Sequence, residues 1–194
     1  MLTLSNSVAD ALDAADRRTL LDTARAAIAG GLEGRRPTAL SLDACAPALR
    51  LHAATFVTLE LGGELRGCVG TLEAFQPLIV DTAENAHSAA FRDPRFAAMT
   101  PREFAEVDVH ISILGTPEPM AFVSEEDLIK QLRPGIDGLV LSERGRRGTF
   151  LPAVWESVVD PCEFLAHLKL KAGLPRDYWS GTIKVYRYTT ASIR

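Results

Sequence analysis

A cysteine two residues from an arginine, inside the run Glu64-Leu65-Arg66-Gly67-Cys68-Val69-Gly70-Thr71, is the stretch of this chain best equipped for chemistry. A thiolate is a nucleophile, and a guanidinium on the same face would stabilise it or orient an anionic substrate. Strand alternation puts Glu64, Arg66 and Cys68 on one face, with the two charges ~6–7 Å apart. At an effective dielectric of about 20 that attraction is ~2–3 kcal/mol, and in water well under ~1. The preceding run, Phe56 to Leu61, meets this strand across Gly62-Gly63, a two-residue turn in which glycine accepts positive φ without strain. In that register Leu61 faces Glu64, Leu59 faces Arg66 and Val57 faces Cys68. Apolar neighbours oppose a charged thiolate, so the balance at Cys68 stays open. Gly67 and Gly70 leave bare backbone beside the thiol, which signals a bulge or a close approach by another group. The competing reading makes Cys68 a small core hydrophobe and Arg66 a charge at the rim.

Other polar residues stand where the fold could bring them to this hairpin. Asn85 lies on a helix whose end carries Asp93 and Arg95, and His110 lies on a strand face with Asp108 and Ser112. A Cys/His pair needs an imidazole delivered by the fold, and His52, His87, His110 and His167 are equal candidates by spacing. Cys162 sits in the first turn of a helix, where the dipole could activate it or where it could simply fill space. The chain has no Cys-x-x-Cys, no His-x-x-x-His, no phosphate loop and no Gly-x-Gly-x-x-Gly. No cofactor and no metal are therefore expected.

The bulk composition is that of an ordinary globular chain. Its 194 residues are 47% hydrophobic and 24% charged, with a net charge of −4 that gives no general attraction to nucleic acid or anionic membrane. No apolar run reaches the ~20 residues that span a bilayer, and no secretory signal is expected from the residues at 1–18. Three widely spaced cysteines, Cys45, Cys68 and Cys162, fit free thiols in a reducing cytoplasm. One domain over 1–194 is expected, with 1–15 as a loosely ordered extension.

The elements that must position the thiol follow from periodicity. Leu20, Leu21, Ala24 and Ile28 mark a helix from Asp16 to Ala29, ended by Gly30-Gly31. Pro77 opens a helix to Phe91 with the apolar stripe Ile79, Ala83, Ala86 and Ala90. Its second stripe, Asp81, Asn85, Ser88 and Arg92, reads as a solvated face. Thr100-Pro101-Arg102-Glu103 spells a capping box, and Val107, Val109, Ile111 and Ile113 alternate as a half-buried strand. Ser124 and Asp160-Pro161 start two further helices, and the second has Lys169 and Lys171 near its end. Strands at 138–142 and 149–151 flank an arginine-rich turn, read as a solvated hairpin tip rather than a phosphate grip. Ile183, Val185, Tyr186 and Tyr188 form a last strand. Hairpins interleaved with helices argue for an antiparallel α+β fold.

Taken together, several motifs resemble the signature of the AMMECR family, whose bacterial members are called AmmeMemoRadiSam system protein A. They are Phe56-Val57-Thr58-Leu59 with Leu65 to Leu72, then Glu84-Asn85-Ala86 with Ala89 to Phe96. Leu151-Pro152-Ala153-Val154-Trp155 and Lys171-Ala172-Gly173-Leu174-Pro175 complete the series. The resemblance covers roughly 20 to 188 and implies an α+β fold with antiparallel strands in a larger and a smaller lobe. It also implies a cytosolic protein whose bacterial relatives are often encoded with a Memo-like protein and a radical S-adenosylmethionine enzyme as possible partners, without implying a settled reaction. The motif residues it carries over are Arg66, Gly67, Cys68 and Gly70. Two functions are then expected. The first is a thiol-dependent component of a three-part modification system, acting on a small molecule or peptide with Cys68 as nucleophile and Arg66 beside it. Glu64, Gly67, Gly70, Asn85, Asp93, Arg95 and His110 would be the substrate contacts. The second is a non-catalytic module that binds a peptide or nucleotide on the same hairpin.

Overall fold

The computed structural model describes residues 8–37 and 41–194. In chain order the elements are α1 (Ala14–Leu32), β1 (Thr55–Leu61), β2 (Glu64–Gly70), α2 (Leu78–Phe91), α3 (Pro101–Glu106), β3 (Asp108–Leu114), β4 (Glu118–Pro119), α4 (Glu125–Gln131), β5 (Gly138–Glu143), β6 (Arg146–Phe150), α5 (Pro161–Lys171), β7 (Lys184–Tyr188) and β8 (Thr190–Ile193). The fold is α+β, with two four-stranded sheets ordered β2-β1-β3-β8 and β4-β7-β5-β6. The chain divides into a larger compact unit, Met1–Gly115 with Ala191–Arg194, and a smaller one, Thr116–Thr190. Of the stretch 1–15, residues 1–7 lie outside the described residues. Val8–Ala11 forms a 3-10 turn, and Ala9 and Leu12 join the core of the larger unit.

In the larger unit, α1 and α2 cover one face of the first sheet. Val57, Leu59, Ile111 and Ile113 point to the helices and are fully buried, as are Leu20, Ala24, Ile28 and Ala86. The helix α1 starts earlier than its periodicity suggests, at a capping box between Asp13 and Asp16. It also runs through Gly30 and Gly31 rather than stopping there. Gly31 is an internal packing position: a Cβ there would lie 2.2 Å from the Phe91 ring of α2.

The polar stripe of α2 is not solvated at Asp81 and Asn85. Asp81 is fully buried and Asn85 is 5% exposed. Asp81 Oδ2 accepts from the N–H and hydroxyl of Thr55 at 2.8 and 2.7 Å and from Asn85 Nδ2 at 2.9 Å. Its Oδ1 accepts from Thr71 and Gln76. A carboxylate can be buried when donors surround it in this way, and this one ties the start of β1 and the exit of β2 to the first turn of α2.

The hairpin turn is as its glycines require, with φ of 59° at Gly62 and 84° at Gly63. Leu61 faces Glu64 as expected, but beyond that the register differs. Glu60 faces Leu65, Leu59 faces Gly67 and Thr58 faces Cys68, with a shift between Leu59 and Glu60 that leaves Arg66 as the extra residue. Such a bulge flips every side chain after it to the opposite face. Leu59 belongs to the helix-facing side, so the uninterrupted register would drive the Arg66 side chain under α2. With the bulge, Gly67 takes that place, and a Cβ there would lie only 2.3 Å from the carbonyl oxygen of Ala89.

The smaller unit packs α4 and α5 on its own sheet, around Phe164, Leu165, Leu168, Leu139, Leu141 and Val185. Trp155 stacks on Phe164 with ring centroids 3.7 Å apart. Asp160 caps α5 through the N–H groups of Cys162 and Glu163. Lys169 is not a surface complement to the helix dipole. It is fully buried, donating to Glu125 at 2.5 Å and to the carbonyl of Arg176 at 3.2 Å. At the β5–β6 tip, Arg144 adopts φ of 47° and pairs with Glu143 at 3.4 Å, while Arg146 donates to the carbonyl of Gly173.

Candidate functional site

Because of the bulge, Cys68 emerges on the face of the first sheet that α1 and α2 leave uncovered. It is half-buried, neither sealed in the core nor fully exposed. Directly across β1 stands Thr58, whose hydroxyl donates to Cys68 Sγ at 3.4 Å. Thr58 in turn faces His110 on β3, so Cys68, Thr58 and His110 form one row across three strands. Two strand spacings, about 9–10 Å, separate the backbones of Cys68 and His110, so any substrate they shared would lie across Thr58. His110 Nε2 is 3.3 Å from Glu60 Oε2, which orients the ring on the same face.

The backbone of Cys68 is clamped from outside. β2 is a sheet edge, and an unpaired edge offers free N–H and C=O groups. Here the Cys68 N–H donates to Asp93 Oδ2 at 2.9 Å, and Arg95 Nη2 donates to the Cys68 carbonyl at 3.3 Å. Asp93 and Arg95 are themselves locked together, Nε to Oδ1 at 2.9 Å and Nη2 to Oδ2 at 2.7 Å. The Arg95 guanidinium, then the Cys68 N–H, hold the Asp93 carboxyl well below the usual carboxylate range against the opposing effect of burial. The Asp-Pro-Arg sequence after α2 is thus a side-chain surrogate for a neighbouring strand.

Arg66 does not serve the thiol. Its Nε donates to Glu103 Oε1 at 2.8 Å, and its Nη2 to the Ala97 carbonyl at 2.9 Å and to Glu103 Oε2 at 3.3 Å. The side chain is 11% exposed, with Nη1 buried and without a partner. As the extra residue of the bulge it braces β2 against α3, and the cation beside Cys68 is Arg95.

The remaining expected contacts divide. Glu64, opposite Leu61, lies on the other face of the sheet from Cys68. Asn85 is consumed by Thr55 and Asp81. Neither glycine leaves bare backbone: Gly67 lies against α2, and a Cβ at Gly70 would fall 2.3 Å from the Phe56 ring. The structure therefore gathers Cys68, Asp93, Arg95 and His110, and adds Thr58 and Glu60, which sequence reasoning missed. Thr58 was hidden by the bulge. The signal that could have exposed it is the alternation of β1 itself, since Val57 and Leu59 must face the helices and Thr58 must face away. Among the described residues, no group of three or more His, Cys, Asp or Glu could hold a metal ion. No helix among them is long and apolar enough to cross a membrane.

Comparison with known proteins places this geometry among relatives. The AMMECR1 family model matches residues 21–193. A protein of Methanothermobacter thermautotrophicus is 41% identical over 173 residues, covering 88% of this chain and 90% of the relative. One from Thermofilum pendens is 39% identical over 189 residues, covering 91% and 88%. The crystal structure of the uncharacterized protein PH0010 from Pyrococcus horikoshii matches with a TM-score of 0.81 at 32% identity, covering 89% of this chain and 88% of that one.

Proposed function

The chain belongs to the AMMECR1 family, and from that premise we propose that it acts through the Cys68 thiol on a small molecule or peptide. Its setting would be the cytoplasm, as one component of a three-part modification system with a Memo-like protein and a radical S-adenosylmethionine enzyme. The observation that carries the reading is the setting of the sulfur. It is half-buried on the sheet face opposite α1 and α2, receives a hydrogen bond from Thr58, and has its backbone fixed on both sides by Asp93 and Arg95. A nucleophile needs this combination of access and restraint.

The test is site-resolved alkylation. The native protein is treated with iodoacetamide near neutral pH, and carbamidomethylation of Cys45, Cys68 and Cys162 is followed by peptide mass spectrometry. Cys68 is expected to react faster than Cys162, although Cys162 is the more exposed. Slower modification of Cys68 than of Cys162 would leave the thiol without a chemical role and favour a binding module on the same hairpin.

A further inference from the structure

The reading above leaves the substrate unspecified, and the clamp on Cys68 narrows it. Arg95 has 54% of its side chain open to solvent, whereas Asp93 has 2%. The carboxylate therefore sits behind, on the protein side, and the guanidinium forms the outward end of the pair. Nε and Nη2 are committed to Asp93 and the Cys68 carbonyl, and Nη1 takes part in none of these bonds. The contact to the Cys68 carbonyl at 3.3 Å puts this head within about 8 Å of the sulfur by covalent geometry. The Phe96 ring lies beneath it, with the guanidinium carbon 5.5 Å from the centroid. An arginine fixed in advance by a bidentate carboxylate and a ring loses little further freedom on gripping an oxyanion.

The other charges nearby do not compete for that role. Arg66 is spent on Glu103, and Glu60, the carboxylate on the face of Cys68, lies with its Oε2 3.3 Å from His110 Nε2. Resting on the Cys68 reading, we propose that Arg95 selects the substrate: an electrophile that carries a carboxylate or phosphate a few bonds from the carbon the thiol attacks. In the covalent step the sulfur lone pair forms the S–C bond. The leaving group departs with the bonding pair, and the thiol proton passes to water.

Two alkylating reagents of nearly equal shape test this. Iodoacetate carries the carboxylate and iodoacetamide does not; in both, iodide leaves. The unaltered protein is treated with each at one pH, so the thiolate fraction cancels in the ratio of rates. N-acetylcysteine amide supplies the ratio for a thiol with no neighbours. At low ionic strength the iodoacetate-to-iodoacetamide ratio at Cys68 is expected to exceed that reference about threefold, and the excess to collapse in high salt as screening sets in. Arg95→Gln should bring the ratio to the reference value, and Arg95→Lys should keep part of the excess. A ratio at or below the reference in the unaltered protein would overturn the inference while leaving a reactive Cys68 intact, and needs no variant to fold. Failure of Cys68 to react with either reagent would overturn the thiol reading and this inference together.

Discussion

Replacing Glu103 by glutamine isolates the brace on Arg66. The Glu103 carboxyl is held down at about 2 instead of an ordinary 4.5, chiefly because the Arg66 guanidinium donates to it, with the Thr100 N–H second. Each pH unit between the folded and unfolded values is worth ~1.4 kcal/mol, so the gap sets a ceiling of ~3.4 kcal/mol. Because 30% of the Glu103 side chain is open to water, screening reduces this to ~1–2 kcal/mol. The direction follows from linkage. A depressed carboxyl contributes fully above its unfolded value near 4.5, and the contribution is lost as pH falls through about 2. Glu103→Gln should therefore cost ~1–2 kcal/mol near neutral pH, a fall of roughly 2–8 °C in Tm for a chain of this length. The gap between the two proteins should close by more than half near pH 3. Equilibrium urea unfolding at the two pH values measures it. An identical gap at both, or none at neutral pH, would refute the assignment of Arg66 to Glu103. The companion variant Arg66→Met should lose comparable stability yet leave the alkylation rate of folded Cys68 unchanged; a slower rate would return Arg66 to the thiol.

Two more expectations bear on the hairpin. Thr58→Val keeps shape and β-propensity but removes the donor to Cys68 Sγ, and should slow Cys68 alkylation near neutral pH about fivefold, the worth of one ordinary hydrogen bond of ~1 kcal/mol. Thr58→Ser should restore the rate, and equal rates in all three proteins would show that the hydroxyl is only a neighbour. Gly67→Ala places a methyl 2.3 Å from the carbonyl oxygen of Ala89, and should destabilise the protein by ~2–3 kcal/mol or more through forced separation of α2 from β2. A melting temperature unchanged in Gly67→Ala would mean that α2 does not sit on this strand.

The architecture was legible wherever one residue type has one physical use. The glycine pair at 62–63 gave the turn, Thr100 with Glu103 gave the start of α3, and alternation from Val107 gave β3. Each of these is a local signal in which propensity, capping and burial agree. What was not legible depended on a partner far along the chain. Gly30-Gly31 reads locally as a stop, and only Phe91 of another helix reveals it as a place where two helices touch. Asp81 and Asn85 read as a wetted stripe because sequence gives no sign that Thr55, Thr71 and Gln76 would bring them donors.

The site itself turned on a single inserted position. Spacing by twos along β2 is sound only if the ladder is unbroken, and Arg66 breaks it. An argument from β1 alone would have found the break. Leu59 must face the helices, so its partner on β2 must fit beneath α2, and between Arg66 and Gly67 only glycine clears the Ala89 carbonyl. Once the bulge is placed there, the rest follows without further choice. Cys68 turns outward, Thr58 becomes its neighbour, and Arg66 is left at the kink beside α3. The edge of β2 then has to be closed by something other than a strand, and Asp93 with Arg95 does so. The same glycine that looks like an opening for substrate thus shapes the site from the far side of the sheet, by letting α2 lie close enough to turn the thiol onto the opposite face.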